Sequence, residues 1–236
     1  DGSNWLNQDF FDYSAGLRMV KERKWERLFG FPRIEPDGKL EQKHCNLAYA
    51  IQLVTEEIVL TMAREARRVT GSDHLCMAGG VALNCVANGK LIKEGIFEQI
   101  FIQPAAGDAG GALGAAQLVH HMYFGEERHI TDGSDSMKGA LLGPYYSDKD
   151  ALITFKRHKA VFERYDGFGD LCRTVADLID EGNVVGWFQG RMEYGPRALG
   201  NRSILGDARN IDMQRKLNLK IKYRESFRPF APSVLF

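Results

Sequence analysis

An α/β fold is predicted by the way strand and helix patterns alternate along the chain. Residues 46–70 place apolar side chains at helical spacing, and Gly71 follows where a helix would end. Two strand–loop–helix units come directly after this helix. Strands that alternate with helices favour an α/β architecture whose loops gather at one edge of the sheet, where such proteins bind ligands.

The two strand–loop–helix units have the same order of elements. The first comprises a short buried strand, a tight loop and a helix, at residues 74–78, 79–81 and 82–94. The second comprises a strand, a loop and a helix rich in Ala and Gly, at residues 99–103, 104–108 and 109–124. Small side chains on that last helix would let another backbone or a ligand approach closely.

A polar, turn-rich stretch at residues 125–150 is the predicted boundary between two structural regions. Beyond it the sequence predicts a helix, a strand, a loop rich in Gly and Arg, and a basic helix, at residues 171–181, 184–188, 188–205 and 212–222. The apolar residues 233–236 predict a last strand. Both ends of the chain therefore look cut rather than finished.

Composition excludes several classes of protein. Lys plus Arg equals Asp plus Glu at 31 each, so the average charge favours neither nucleic acid nor membrane. Four cysteines form neither a disulfide scaffold nor a C-x-x-C metal motif, which is typical of reduced thiols in a cytoplasmic protein. No apolar run approaches the roughly 18 residues of a membrane span, and no signal peptide is recognisable.

Two glycine-containing loops are candidate ligand sites. Gly79 and Gly80, between a strand and a helix, would let backbone N–H groups approach an anion or a flat ring, although such turns are also common as purely structural features. Asp108 stands at the start of the next helix between glycines. Its carboxylate is either a metal ligand or an N-cap, and the residue pattern leaves both interpretations open.

The loop from Gly190 to Leu205 is a stronger candidate for anion binding. It carries Arg191, Arg197 and Arg202 together with three glycines. Guanidinium groups bind phosphate through paired hydrogen bonds, and glycines free the intervening N–H groups to contribute. Residues 184–236 contain 7 Arg and 3 Lys against 2 Asp and 2 Glu, an excess of 10 − 4 = +6. Farther on, Arg228 lies between Phe227 and Phe230 as either a cation–π partner or another anion contact.

Three segments, in this order, closely resemble the NodU/CmcH family of O-carbamoyltransferases. They are Ala78-Gly-Gly-Val-Ala-Leu-Asn84, Pro104 to Ala116 and Gly190 to Leu205, with further similarity at residues 10–14 and 227–232. The resemblance implies the C-terminal lobe of an actin/hexokinase-like (ribonuclease H-like) carbamoyl-transfer domain over residues 1–135. It also implies the first part of a YrdC-like activating domain over residues 136–236.

The resemblance further implies an ATP-dependent carbamoyltransferase of two steps. Carbamoyl phosphate and ATP, with Mg, would give carbamoyl adenylate, and the carbamoyl group would then pass to a hydroxyl of a small-molecule acceptor beside a divalent metal, expected to be iron. The implied catalytic residues are Arg197 and Arg202. Implied contacts to carbamoyl phosphate or ATP are Arg191, Asn201, Ser203 and Arg228; implied nucleotide contacts are Gly79, Gly80 and Asn84, and the implied metal ligand is Asp108.

One departure from the family concerns the metal. The family's metal site also uses two histidines spaced by three residues, and no His-x-x-x-His occurs in this chain. Asp108 alone cannot hold a catalytic metal, so the isolated chain is expected to be inactive and metal-free.

Other functions stay open at this point. A hydrogenase-maturation-type carbamoyltransferase is disfavoured because its YrdC-like domain comes first in the chain. An RNA-binding module related to tRNA threonylcarbamoylation would use the basic C-terminal third, but aromatic residues are sparse between Gly195 and Leu219. A non-catalytic nucleotide-binding domain is a third alternative. The acceptor hydroxyl compound and a homodimer are both left open.

Overall fold

The computed structural model describes residues 2–35, 38–129, 133, 135–224 and 228–235, and it confirms the mixed α/β class. Its helices are Glu22–Phe29 (α1), Gln42–Thr70 (α2), Cys85–Lys93 (α3), Asp108–Leu118 (α4), Asp148–Arg157 (α5), Phe168–Asp180 (α6) and Met213–Lys216 (α7). Its strands are His74–Met77 (β1), Gln99–Ile102 (β2), Val185–Phe188 (β3) and Arg202–Leu205 (β4). No helix in the described part of the chain is both long and apolar enough to cross a membrane.

Contacts divide the chain into two compact units. Unit 1 comprises residues 1–77 and 82–102, and unit 2 comprises residues 78–81 and 103–236. The predicted domain boundary after residue 135 refers to family domains rather than to these contact units, so it stays a prediction.

Unit 1 is built around a strand–helix–strand motif. β1 and β2 pair in parallel, with Cys76 opposite Phe101, and α3 connects them. The core contains Ala63, Leu91 and Phe97, which pack with apolar side chains of α2 and of both strands. The predicted order of strand, helix and strand is therefore confirmed, but the prediction that β1 is buried is wrong because its residues alternate between exposed and half-buried.

Two helix boundaries in unit 1 differ from the prediction for local reasons. α2 begins at Gln42 rather than at residue 46, because Glu41 and His44 form a reciprocal capping box in front of it. α3 begins at Cys85 rather than at residue 82. Asn84 caps that helix, and residues 80–83 form a separate 3₁₀ turn. Gly71 ends α2 as predicted.

Unit 2 contains a two-stranded antiparallel sheet. β3 pairs with β4, with Trp187 opposite Ser203 and Phe188 opposite Arg202. The prediction that residues 188–205 form a loop throughout is therefore wrong at its end, where Arg202 and Ser203 lie on a strand. The β-branched Ile204 suits that strand.

The helices of unit 2 agree with the prediction in type more than in length. α6 starts three residues before the predicted position, and α5, which was not predicted, begins at a capping box of Ser147 and Asp150. α4 and α7 each continue into a π-helical turn, at Val119–Tyr123 and Leu217–Ile221. The predicted strand at residues 233–236 is wrong for its described part, since residues 233–235 form no strand; Phe236 lies outside the described residues.

Candidate functional site

The loops that follow β1 and β2 meet within unit 2. The backbone N–H of Gly79 donates a hydrogen bond of 2.7 Å to the carbonyl of Ala106. Ala105 and Ala106 are buried, whereas Gly79 and Gly80 are exposed. A methyl group added at either glycine would meet nothing within 4 Å in the described structure. The surface over this glycine pair is therefore open, as a ligand contact would require.

The loop from Gly190 to Asn201, here called the arginine loop, is anchored to the same region. The phenol of Tyr194 donates a hydrogen bond to the carbonyl of Ala109, and its backbone N–H donates to the carbonyl of Ala140 at 2.6 Å. Gly195 packs against Ala105. The loop therefore rests on the residues that precede and begin α4.

Glu193 is buried at the base of the arginine loop. Its side chain has no solvent-exposed surface (0%). One carboxylate oxygen, Oε1, accepts hydrogen bonds from the backbone N–H groups of Leu199 and Asn201, both at 2.7 Å. The other, Oε2, accepts from Nε of Arg202 at 3.1 Å. A single carboxylate thus joins the two ends of the segment 194–200, in which residues 196–200 are exposed.

The hydrogen bonds of Glu193 determine its charge. Burial raises the pKa of this carboxyl, but the N–H donors of Asn201 and Leu199, together with the guanidinium of Arg202, more than offset that effect. The net result is a pKa below the usual value of 4.5. Glu193 is therefore ionised at neutral pH and holds its donors as a carboxylate.

Arg202 is held by the loop itself. Besides its bond to Glu193, its Nη2 donates to the carbonyl of Gly195 at 2.6 Å and to the carbonyl of Arg197 at 3.2 Å. About 30% of its side chain is exposed. Its predicted contact with a phosphate stays a prediction, but in this arrangement most of its donors already have partners.

Arg197 has the opposite environment. It lies on the exposed segment, and its guanidinium forms no ion pair or hydrogen bond with the described residues. Arg191 is also exposed, but its Nη1 donates to the carbonyl of Gly143 at 2.7 Å. Of the three loop arginines, Arg197 is therefore the one whose side-chain donors all lack partners among the described residues.

The two remaining predicted substrate contacts on this segment have structural surroundings. Asn201 is half-buried, and its side-chain amide donates to the carbonyl of Arg191 at 2.8 Å. Ser203 is half-buried on β4, opposite Trp187. The structure thus places both in the same loop-and-strand segment as Arg197, and their ligand contacts stay predictions.

One cation–π contact is described in the aromatic segment near the C-terminus. The guanidinium over the ring of Phe230 belongs to Arg224, at 5.0 Å from the ring centroid. Arg228 is exposed, and its carbonyl accepts a hydrogen bond of 2.8 Å from the side chain of Asn218. Phe227 lies outside the described residues. The cation–π and anion-contact interpretations of Arg228 both stay predictions.

Asp108 is exposed at the first position of α4. The N-cap of this helix is Gly107, so the alternative that Asp108 is the N-cap is wrong. Its carboxylate suits the positive end of the helix dipole in any case. Across the residues that the structure describes, no group of three or more His, Cys, Asp or Glu side chains could hold a metal ion. The described residues therefore do not by themselves fit the implied metal.

Asn84 belongs to unit 1, whereas the loop glycines Gly79 and Gly80 belong to unit 2. Its side-chain oxygen accepts a hydrogen bond of 3.1 Å from the N–H of Ala87, and it exchanges side-chain bonds of 2.9 and 3.2 Å with Gln52. Gln52 in turn donates to Glu56, which is buried and forms an ion pair with Lys90. Asn84 therefore has a structural role as an N-cap, and its nucleotide contact stays a prediction.

Sequence reasoning did not single out Glu193 or Tyr194, the two residues that fix the arginine loop. A usable signal was present, because Glu193 is the single acidic residue between Gly190 and Leu205. One acidic residue among three arginines predicts an ion pair within the loop. The arginine that pairs with this acid is then less available to a ligand.

Fold and loop together define an α/β protein that presents an arginine on a glycine-containing loop fixed from beneath by a buried carboxylate. Two family models match this chain. The carbamoyltransferase N-terminus matches residues 1–117, and the carbamoyltransferase C-terminus matches residues 176–236. The chain belongs to the carbamoyltransferase family.

Several proteins are similar to almost the whole chain. An uncharacterised protein of Synechocystis is 53% identical over 100% of the chain, and nodulation protein NolO of Bradyrhizobium diazoefficiens is 44% identical over 94% of it. The 3'-hydroxymethylcephem-O-carbamoyltransferase of Streptomyces clavuligerus is 32% identical over 95% of it. The chain spans 38%, 40% and 41% of the lengths of these three proteins.

Proposed function

We propose that the complete gene product containing this chain is an ATP-dependent O-carbamoyltransferase. Its carbamoyl donor is carbamoyl phosphate, and its acceptor is a hydroxyl group of a small molecule. Membership of the carbamoyltransferase family supports the reaction class, and the relative named as a cephem O-carbamoyltransferase supports oxygen as the acceptor atom. The observation that carries the proposal is the exposed guanidinium of Arg197, which has no partner among the described residues and lies on a fixed loop.

The activation step balances with one water molecule. Carbamoyl phosphate and water give carbamate and phosphate. A carbamate oxygen then attacks the α-phosphorus of ATP, and the bond to the pyrophosphate leaving group breaks, which yields carbamoyl adenylate. In the transfer step the acceptor oxygen attacks the carbamoyl carbon, AMP leaves, and the acceptor loses its hydroxyl proton.

Carbamoyl phosphate, carbamate and ATP all carry negative charge, so catalysis of the activation step depends mainly on positioning and charge neutralisation. Arg197 would contact a phosphate group, because a guanidinium with free N–H groups can donate two parallel bonds to it. Arg191, Ser203 and Arg228 would make further contacts. Arg202 would keep its hydrogen bonds to the backbone of the arginine loop. Mg²⁺ would accompany ATP.

The transfer step would use the loops that follow β1 and β2. Gly79 and Gly80 would let a nucleotide approach the backbone, with Asn84 as a further contact. Asp108 would be one ligand of a divalent metal, expected to be iron, whose other ligands are not among the described residues. In this proposal residues 1–135 belong to an actin-like transfer domain and residues 136–236 to a YrdC-like activating domain.

Carbamoyl-phosphate-dependent exchange of labelled pyrophosphate into ATP tests the proposal on the complete gene product. We expect exchange only when carbamoyl phosphate is supplied, because the adenylate must form before pyrophosphate can return. Arg197→Ala should lower the rate by about 100-fold, the usual effect of removing one donor to developing charge.

A matched control is Arg173→Ala, which removes another exposed arginine of unit 2, on α6. It should leave the exchange rate unchanged within about twofold. Absence of carbamoyl-phosphate-dependent exchange in the wild type would contradict the proposed function. Equal losses in the two variants would instead show that Arg197 has no specific contact with the substrate.

A further inference from the structure

We propose that Glu193 is a positioning residue, which holds Arg197 in place for the phosphate of the substrate while it withdraws Arg202 from ligand binding. This inference rests on the proposed function, since it assigns separate roles to two arginines of the same loop. Glu193 itself would not touch the substrate.

The geometry gives a continuous path from Glu193 to Arg197. Oε2 of Glu193 accepts from Nε of Arg202, and Nη2 of the same guanidinium donates to the backbone carbonyl of Arg197 at 3.2 Å. Movement of the carboxylate would therefore release the backbone at Arg197. No described side chain other than Arg202 provides a hydrogen bond to that carbonyl.

A second connection between Glu193 and Arg197 runs through the backbone at residues 199–201, which follow Arg197 in the chain. Oε1 of Glu193 accepts from the N–H groups of Leu199 and Asn201, which flank Gly200. Both N–H groups can point at one oxygen because Gly200 has φ +121, a conformation that L side chains rarely adopt. Arg197 is thus held from both directions along the chain.

The charges of the loop favour the same division of roles. The guanidinium of Arg202 is neutralised by a carboxylate with 0% exposed surface. A phosphate that displaced Glu193 from Arg202 would leave a buried carboxylate without its cation, which is costly. No such cost applies at Arg197, since its guanidinium has no carboxylate partner among the described residues. An incoming anion should therefore bind Arg197 in preference to Arg202.

The decisive variant is Glu193→Gln, which keeps the shape and one acceptor oxygen but loses the charge that holds Arg202. In the pyrophosphate exchange assay on the complete gene product, we expect the KM for carbamoyl phosphate to rise about 10-fold and kcat to change less than about threefold. A role in stability alone would reduce the amount of folded enzyme, so it would lower kcat and leave KM unchanged.

A double-mutant cycle shows whether Glu193 acts through Arg197. If it does, Glu193→Gln should add less than about a twofold effect in an Arg197→Ala background, because the positioned group is already missing. Independent, multiplicative effects would overturn the proposal. Arg202→Lys is a second test if Glu193→Gln folds poorly. Lys keeps the positive charge beside Glu193 but cannot also donate to the carbonyls of Gly195 and Arg197. We expect the same rise in KM for carbamoyl phosphate, and an unchanged KM would contradict the proposal.

Backbone amide exchange supplies a readout that needs no turnover. Glu193→Gln should speed hydrogen exchange at Leu199 and Asn201, whereas Glu56→Gln, which alters the equally buried carboxylate of unit 1, should not. Unchanged exchange at Leu199 and Asn201 would refute the positioning role.

Binding of inorganic phosphate separates the inference from the proposed function. Suppose that the wild type shows no pyrophosphate exchange but binds inorganic phosphate, and that Glu193→Gln weakens phosphate binding about 10-fold. The positioning role of Glu193 then stands and the proposed carbamoylation reaction is wrong. If exchange is intact and Glu193→Gln alters neither KM nor phosphate binding, the reaction stands and the positioning role is wrong.

Discussion

Gly195 lies against Ala105 so closely that a Cβ on Gly195 would stand 3.1 Å from both Cα and Cβ of Ala105. The same atom would stand 3.3 Å from the carbonyl oxygen of Pro104. Gly195 also has φ +113, which a side chain would strain. This contact joins the arginine loop to the loop that precedes α4, so two of the three segments that resemble the family meet at one glycine.

Replacing Gly195 by Ala should therefore be more costly than replacing another glycine of the same loop. Gly200 has φ +121, but a Cβ there would meet nothing within 4 Å. Gly200→Ala should lower the free energy of unfolding by about 1–2 kcal/mol through backbone strain alone. Gly195→Ala should add about 1–3 kcal/mol for the crowded contact with Ala105. Urea denaturation of both variants measures the difference, and equal losses would show that the contact contributes nothing.

Arg197 and Arg202 should differ in their contribution to the stability of the fold as sharply as in their proposed function. Arg202→Ala leaves the buried carboxylate of Glu193 without its cation, and we expect a loss of about 2–4 kcal/mol, since Arg202 is partly exposed. Arg197→Ala removes an exposed side chain and should change the free energy of unfolding by less than about 0.5 kcal/mol. The measurement is the denaturation midpoint at constant m-value. A larger loss for Arg197→Ala than for Arg202→Ala would reverse the roles.

The pKa of Glu193 predicts how the loop responds to acid. Because its folded pKa lies below the usual 4.5, ionised Glu193 stabilises the folded state at every pH above the unfolded value. That contribution is lost as pH falls through the folded pKa, where the carboxyl becomes neutral. The wild type should thus be more stable than Glu193→Gln at neutral pH, and the difference should shrink once pH drops below 4.5. Denaturation series at several pH values test this, and a pH-independent difference would contradict it.

The sequence predicted the parts of the fold that depend on local patterns. Helical spacing with a glycine stop identified α2, and the strand–loop–helix pattern identified β1, α3 and β2 in their correct order. β4 was missed because it depends on a partner, β3, that lies more than ten residues earlier. Its arginine and serine resemble loop residues when the chain is considered alone.

The candidate site was predictable in composition but not in the division of work among its arginines. Arg191, Arg197 and Arg202 share one motif and one charge, so residue type alone does not say which of them pairs with Glu193. Their ranking depends on which guanidinium reaches the carboxylate of Glu193, and that is a matter of three-dimensional distance. The actin-like and YrdC-like assignments follow from resemblance and stay predictions.

Asn84 offers a final prediction, because its structural role can be separated from its proposed contact with a nucleotide. Asn84→Ala removes the N-cap of α3 and should lower the free energy of unfolding by about 1 kcal/mol. Asn84→Asp keeps an oxygen that can accept from the N–H of Ala87, and its charge suits the helix N-terminus, so the cap should survive. A new negative charge would nevertheless repel a nucleotide phosphate.

We expect both substitutions to weaken ATP binding to the complete gene product, measured by titration calorimetry. Of the two, we expect Asn84→Ala but not Asn84→Asp to lower the free energy of unfolding appreciably. Ser147→Ala is the matched control, since it removes the N-cap of α5 and should lower stability without changing ATP affinity. If ATP affinity in Asn84→Asp equals that of the wild type, Asn84 only caps its helix. A loss of affinity in Asn84→Asp with unchanged stability cannot come from capping, because the cap oxygen is still present, and it therefore requires the nucleotide to lie close to this side chain.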